Sequence, residues 1–242
     1  MSTVDNNPYR TWGLTAADAP ATERATFIRQ TYLHLLIAVL AFIGLETALL
    51  NSSLAEPMTQ LALGNGRIGW LVVIAAFVGV SWLANSWASS ATSVGMQYLG
   101  LALYVVAQAF IFVPLLYIAG AYGPPNLIAT AAVLTGIIFC GLTAIVFLTG
   151  ADFSFMRTAL GIAGFGAIAV IACSMIFGFN LGIFFIGAMV IFASAYILYD
   201  TSNVLHHYRI GQHVAASLAL FASVALLFWY IVQLLMSLSS RD

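Results

Sequence analysis

The stretch Leu181–Asp200 reads LGIFFIGAMVIFASAYILYD and contains no charged residue before its final aspartate. About 20 largely apolar residues are enough to cross the hydrocarbon core of a bilayer as an α-helix. A carboxylate placed in that hydrocarbon costs roughly 2.5–3.5 kcal/mol on insertion scales. Asp200 is therefore a candidate proton- or cation-sensing residue. The polar residues Thr201, Ser202 and Asn203 follow it and are candidates to support it. The alternative is a carboxylate at a helix end that is already in water.

The composition excludes a water-soluble domain. Of the 242 residues, 62% are hydrophobic and 6% are charged, and the mean hydropathy is +1.03. A soluble domain carries about 25% charged residues. Lysine is absent and the net charge is -1, so there is no basic surface for nucleic acid. We predict an all-α fold, specifically a polytopic bundle of membrane helices.

Seven segments are apolar and long enough to span a membrane. The breaks between them contain turn residues, such as Gly123-Pro124-Pro125. Residues 1–26 are expected to form a polar cytoplasmic tail, and residues 27–242 a single membrane domain. The predicted spans are Thr31–Leu50, Gly69–Ala88, Met96–Ala119, Asn126–Leu148, Thr158–Phe177, Leu181–Tyr199 and Val214–Leu238.

Arginine placement predicts the orientation, because cytoplasmic loops carry an excess of Lys and Arg. An N-terminus inside the cell places most arginines on the cytoplasmic side: Arg10, Arg24, Arg29, Arg157 and Arg209, against Arg67 and Arg241. We therefore expect a cytoplasmic N-terminus and, with seven spans, a C-terminus on the opposite side. A re-entrant last segment would return the C-terminus to the cytoplasm and is an open alternative.

Glu46 is the second candidate for proton or cation sensing, and it lies near the end of the first predicted span. It offers an acidic entry site for a cation on the side opposite the cytoplasm. The alternative is a side chain that snorkels to the membrane interface. His34, near the other end of the same span, is interpreted as a packing or interfacial residue.

Polar groups also gather in two loops of the predicted cytoplasmic side. The loop after the sixth span contains His206, His207, Arg209 and His213. Imidazoles bind metals or sense pH near neutrality, although a solvated loop is the simpler interpretation. In the preceding cytoplasmic loop, Asp152 and Arg157 are expected to pair across a short turn.

Enzyme motifs are absent from the sequence. It has no GxSxG nucleophile elbow, no HExxH helix and no glycine-rich phosphate loop. Cys140 and Cys173 lie in apolar segments without CxxC or Cys/His spacing, and they are interpreted as small buried hydrophobic residues. We expect a non-enzymatic protein without a metal site or a resident cofactor.

Four segments resemble the Bax inhibitor-1 (TMBIM) family. AYILYDTSN at Ala195–Asn203 resembles the signature of the family's sixth helix, and FIRQTY at Phe27–Tyr32 resembles the start of its first helix. DFSF at Asp152–Phe155 resembles the short fourth loop of bacterial members. The ending Ser240-Arg241-Asp242 resembles the bacterial YccA-like branch in particular. The resemblance covers the chain from about residue 27 to its end.

This resemblance implies a compact bundle in the bacterial inner membrane, with a central seventh helix. It also implies that some relatives are pH-sensitive calcium leak channels, in which aspartates on the sixth and seventh helices share protons. Asp200 matches the first aspartate, and its protonation would gate the channel, with Ca²⁺ as the conducted or bound ion. Ser223 stands at the position of the second, and a serine cannot give the coupled titration of a carboxylate pair.

The resemblance to the YccA-like branch implies a second activity, the modulation of an FtsH-type ATP-dependent membrane protease. Ser223 and the C-terminal match favour this activity, and the polar N-terminal tail suits a segment that a protease grips. The calcium leak is the alternative. A third interpretation is a structural membrane protein whose carboxylates only fix helix register. The oligomeric state is left open.

Overall fold

The computed structural model describes residues 13–64, 66–90 and 93–240, with the backbone alone at positions 67 and 68. Predictions that rest on Arg10, Arg241, Asp242, the first twelve residues or the side chain of Arg67 therefore lie outside the described residues.

The described residues form eight α-helices and no β-strand. All of these helices except α2 are long and apolar enough to cross a membrane, and the predicted all-α bundle with seven spanning helices is confirmed. The helices are α1 Ala21–Leu50, α2 Ala55–Leu63, α3 Gly66–Ala88, α4 Val94–Tyr122, α5 Leu127–Thr149, α6 Met156–Phe177, α7 Gly182–His206 and α8 His213–Ser239.

The seventh spanning helix, α8, is central, as predicted. It packs against α1, α3, α4, α5 and α7, and Leu220, Leu227 and Val232 are fully buried along it. At 1.5 Å per residue, the 27 residues of α8 measure about 40 Å, more than the roughly 30 Å of a hydrocarbon core. The helix is unbroken and long enough to span. The third spanning helix, α4, is equally central and continues through Pro114.

A glycine permits a close contact between two helices of the bundle. A Cβ atom built on Gly100 in α4 would overlap backbone atoms of Ala84 and Ala88 in α3. Both alanines are fully buried or nearly so. Small residues let membrane helices approach closely, because no hydrophobic force between helices drives their association in lipid. Gly100 therefore fixes the distance between α3 and α4.

Two helices extend well beyond the predicted spans, and one helix was not predicted. α1 begins at Ala21, directly after Pro20, instead of Thr31. α7 continues past Tyr199 to His206. The short α2 lies in the predicted first loop and packs its buried face against α3 and α4. The length of an apolar segment predicts only the residues that lie in hydrocarbon. It therefore does not predict polar helical turns or a helix of nine residues such as α2.

The outer surface of the bundle is apolar, as a protein that contacts lipid requires. Large exposed side chains include Trp82, Phe165 and Phe184. Cys140 and Cys173 are free thiols on this exposed surface, so their interpretation as buried residues is wrong. Each sits in an apolar helix whose sequence does not distinguish a lipid-facing side from a buried one.

Candidate functional site

Asp200 lies inside α7, not at its end. Ile197, Asp200, Thr201 and Val204 are buried, and their spacing places them on one face of the helix. The Asp200 side chain is only 8% exposed. The interpretation of Asp200 as a water-exposed carboxylate at a helix end is therefore wrong, because α7 continues for almost two further turns.

Ser223 in α8 is the hydrogen-bond partner of Asp200. Its hydroxyl donates to Asp200 Oδ2, and the same hydroxyl oxygen lies 3.2 Å from the carbonyl oxygen of Ala219. The position that the family resemblance matched to a second aspartate thus faces Asp200 across the helix interface. A serine hydroxyl has one donor and two acceptor lone pairs. It can donate to an ionised Asp200, or accept from a protonated Asp200 and donate to Ala219.

The surroundings of Asp200 contain tyrosines but no countercharge. Tyr104 of α4, Tyr196 of α7 and Tyr208 of the α7–α8 loop are close enough to interact electrostatically with Asp200. Burial raises the pKa of the loop residue Tyr208 above its ordinary range. Within the described part of the chain, no histidine, arginine or second carboxylate contacts Asp200. Ser223 is therefore its one polar partner there.

Thr201 follows Asp200 on the buried face and belongs to a group of hydroxyls. The Tyr32 hydroxyl of α1 lies against those of Thr143 in α5 and Thr201 in α7, yet none of the three has a hydrogen-bond partner of good geometry. This group joins three helices beside the Asp200 contact.

Ser202, the next supporting residue, anchors the α5–α6 loop to α7. Its hydroxyl accepts a hydrogen bond of 2.8 Å from the Phe153 backbone N–H and lies 3.3 Å from Asp152 Oδ1. Asp152 Oδ2 pairs with His207 Nε2 at 3.1 Å. The backbone N–H of Ser154 and then His207 lower the pKa of Asp152 to about 2. The predicted pairing of Asp152 with Arg157 is wrong, because the loop folds Asp152 onto the end of α7.

Asn203 and the N-terminal segment shape the end of α7. The Asn203 carbonyl accepts hydrogen bonds from the backbone N–H groups of His207 and Tyr208. Residues 13–16 then run along the α7–α8 loop. Ala16 N–H donates to the Tyr208 carbonyl at 2.8 Å, and Ile210 N–H donates to the Leu14 carbonyl at 3.0 Å. The N-terminal segment therefore covers the loop beside Asp200.

The histidines do not form the metal site that their spacing allowed. His213 packs against His34 of α1, with ring centroids 5.0 Å apart, whereas His207 faces Asp152. His34 also shares a hydrogen bond of 3.0 Å with the Tyr98 hydroxyl, which fits its interpretation as a packing residue. Among the described residues, no group of three His, Cys, Asp or Glu side chains could hold a metal ion.

We call the end of the bundle where α1 begins the near end, and the opposite end the far end. Asp200 and its loops lie toward the near end. Glu46 lies toward the far end, is 4% exposed and has no hydrogen-bond partner on either carboxylate oxygen. The snorkelling interpretation of Glu46 is therefore wrong. Glu46 forms part of the wall of a cavity of about 650 Å³.

Aromatic rings fill the space between Glu46 and Asp200. Phe42, one turn before Glu46, packs edge-on against Phe112 at 5.1 Å and against Phe221 at 5.9 Å between ring centroids. Phe221 in turn packs against Tyr104 at 6.0 Å. Phe221 lies two residues before Ser223 on α8. The two buried carboxylates are thus separated by closely packed rings.

Comparison with known proteins places this bundle in a family. The sequence model of the family described as "Inhibitor of apoptosis-promoting Bax1" matches residues 24–240. The chain belongs to this Bax inhibitor-1 family. The matched region includes every helix described above except the first three residues of α1. It also includes Asp200 and Ser223.

Three bacterial proteins are similar to the chain. An uncharacterised protein of Pseudomonas aeruginosa is 28% identical over 91% of this chain and 93% of that protein. An uncharacterised membrane protein of Vibrio cholerae is 28% identical over 82% of this chain and 87% of its own length. An uncharacterised protein of Pasteurella multocida is 26% identical over 68% and 73%, respectively. No solved structure matches.

Several parts of the site in this Bax inhibitor-1 family protein were not recognised in the sequence. The sequence did not indicate that Tyr32 and Thr143 lie beside Thr201, because a single hydroxyl in an apolar helix is common. Ala16 looked like part of a polar tail, and its burial depends on the fold of a loop almost 200 residues away. The proximity of Asp200 and Ser223 was accessible only through the family resemblance.

Proposed function

We propose that this protein is a non-enzymatic, multi-pass protein of the bacterial inner membrane that modulates an FtsH-type membrane protease. Its near end would face the cytoplasm, where the ATP-dependent part of such a protease works. The observation that carries the proposal is the ordered surface at the near end. There, hydrogen bonds join three separate parts of the chain: the N-terminal segment, the α5–α6 loop and the α7–α8 loop.

The charge of the near end suits a protein partner. Its arginines make no ion pair with another described residue: Arg24, Arg29, Arg157 and Arg209. Guanidinium groups without an ion pair among the described residues are suited to bidentate contacts with carboxylates of a partner.

Affinity capture from membranes tests the proposal. After chemical crosslinking of native membranes, the tagged protein is expected to retain the protease. Ala16→Asp, which disrupts the near end, should lose the protease. Glu56→Gln, on the exposed side of α2 at the far end, should retain it. Absence of the protease from the wild-type sample would contradict the proposal.

A calcium leak gated by protonation of Asp200 is the second candidate. Two buried carboxylates, Asp200 and Glu46, in membrane-spanning helices are the observation that favours it. The Ser223 hydroxyl donates to Asp200, and Tyr104, Tyr196 and Tyr208 are close enough to interact with it electrostatically. None of them repels an ionised carboxylate, and Ser223 can bond either protonation state. Gating by charge repulsion is therefore weaker here than in a carboxylate pair.

Calcium flux into proteoliposomes between about pH 6 and 8 distinguishes this second function. If the protein is a gated leak, flux should depend on pH, and Asp200→Asn should abolish that dependence. Wild-type flux equal to that of protein-free vesicles would eliminate the leak. The protease proposal would be unaffected by that outcome.

A further inference from the structure

A cavity at the far end has the dimensions of a ligand site. It is a partly open cavity of about 650 Å³ between α1, α4, α5 and α8, within the roughly 300–1,000 Å³ that small-molecule sites occupy. The residues that define its character are Phe42, Glu46, Thr47, Gly120, Asn126 and Phe228. Most of the remaining wall is aliphatic. The cavity is separate from the Asp200 site and from the near end.

The cavity wall contains a carboxylate without a partner. Both oxygens of Glu46 are buried and make no hydrogen bond, and among the described side chains no cation pairs with it. A buried charge is costly unless it is paired. A cationic ligand in the cavity would supply the missing partner. The polar group and the cavity are independent observations that indicate the same kind of ligand.

The donor set of the cavity does not suit a divalent metal ion. Ca²⁺ takes six to eight oxygen ligands, several of them from carboxylates. Here Glu46 is the one carboxylate of the lining, accompanied by the side-chain oxygens of Thr47 and Asn126. An organic cation needs only one counter-ion, because its apolar part is satisfied by apolar walls.

The aromatic rings of the cavity complete the site. Phe42 and Phe228 both line it, and both are held in place by ring contacts with Phe112. The face of an aromatic ring attracts an ammonium group within about 6 Å. We propose that this far-end cavity binds an organic ammonium ion with an apolar body, and that Glu46 is its counter-ion. The proposal does not depend on the protease function.

Calorimetric titration of the full-length protein in nanodiscs of phosphatidylglycerol, with the heat of titrating empty nanodiscs subtracted, tests the proposal. This lipid carries no ammonium group, and the subtraction removes its own attraction for a cation. The probe is 4-phenylbutylamine, and 4-phenylbutanol is its neutral match. The amine is expected to bind at least about tenfold more tightly than the alcohol, a difference of about 1.4 kcal/mol. Glu46→Gln should remove this preference. Equal binding of amine and alcohol by the wild type would overturn the proposal.

A second variant keeps the test decisive if Glu46→Gln does not fold. A Cβ on Gly120 meets only the end of Ile128 at 4.0 Å, so Gly120→Leu adds a side chain to the cavity wall and leaves Glu46 in place. It should weaken binding of both the amine and the alcohol. Amine binding unchanged in Gly120→Leu, or Glu46-dependent binding of calcium chloride in place of the amine, would overturn the proposal.

The ammonium group could belong to a free amine or to a lipid headgroup. Native mass spectrometry of protein from membranes that contain phosphatidylethanolamine separates the two sources. Retention of this lipid by the wild type and its loss in Glu46→Gln would assign the site to a headgroup. Binding of 4-phenylbutylamine without lipid retention would assign it to a free amine. The absence of both forms of binding would overturn the proposal.

Discussion

The hydroxyl of Ser223 in α8 donates a hydrogen bond to the carboxylate of Asp200 in α7 and lies 3.2 Å from the carbonyl oxygen of Ala219. Because this hydroxyl can reverse its role, α7 and α8 remain joined whether or not Asp200 carries a proton. A pair of carboxylates at the same place would repel each other once both were ionised. Ser223 therefore makes the contact tolerant of pH.

Ser223→Asp should make the stability of the bundle depend on pH. Two adjacent carboxylates share a proton at low pH and repel at high pH. We expect the melting temperature of this variant to fall by about 5 °C or more between pH 5 and pH 8, relative to the wild type. Thermal unfolding in detergent measures it. Ser223→Asn has the same size without the charge, and an equal pH dependence in Ser223→Asn would contradict the explanation.

Gly100→Ala should destabilise the packing of α3 against α4. The new Cβ would overlap the backbone of Ala84 and Ala88, which cannot move aside as a flexible side chain can. We expect a loss of about 1–3 kcal/mol, measured by unfolding in denaturant. The control is Gly136→Ala in α5, where no atom lies within 4 Å of the new Cβ. Similar effects of both substitutions would refute the role of Gly100.

Asp152→Asn should loosen the α5–α6 loop from the end of α7. The Ser154 backbone N–H and His207 lower the pKa of Asp152 to about 2. The ionised carboxylate therefore stabilises the folded loop at pH values above about 4, the ordinary pKa of an aspartate. This contribution disappears as the pH falls through about 2. From pH 5 to 8, Asp152 itself should remain ionised.

Hydrogen exchange at the Phe153 and Ser154 amides measures this loosening. Exchange should be faster in Asp152→Asn and in His207→Ala. It should be unchanged in Arg157→Gln, because Arg157 does not pair with Asp152 in the described structure. Faster exchange in Arg157→Gln alone would contradict this prediction and support the pairing of Asp152 with Arg157 that was predicted from the sequence.

Ala16→Asp should release the N-terminal segment from the α7–α8 loop. Ala16 is fully buried, and its N–H donates to the Tyr208 carbonyl at 2.8 Å, so a charged side chain does not fit. The Ile210 amide, which donates to the Leu14 carbonyl, should then exchange faster with solvent. Ala17 is exposed, and Ala17→Asp is the matched control. Protection of Ile210 that survives Ala16→Asp would contradict this prediction.

The sequence was sufficient for the membrane bundle but not for its polar contacts. Apolar runs such as Leu181–Tyr199 mark spans directly, because hydrocarbon requires about 20 apolar residues. The same runs do not distinguish a lipid-facing thiol, such as Cys140, from a buried one. The partner of Asp152 is set by how a loop folds onto α7. The burial of Glu46 depends on helix packing, which has no local sequence signal.

The central claim is that the near end of this protein acts on an FtsH-type protease, and the most direct test is a degradation assay. The protease and a membrane-protein substrate are reconstituted in vesicles with or without this protein. We predict that the wild type and Ala17→Asp change the rate of substrate degradation and that Ala16→Asp does not. A degradation rate that is the same with and without the wild-type protein would contradict the claim.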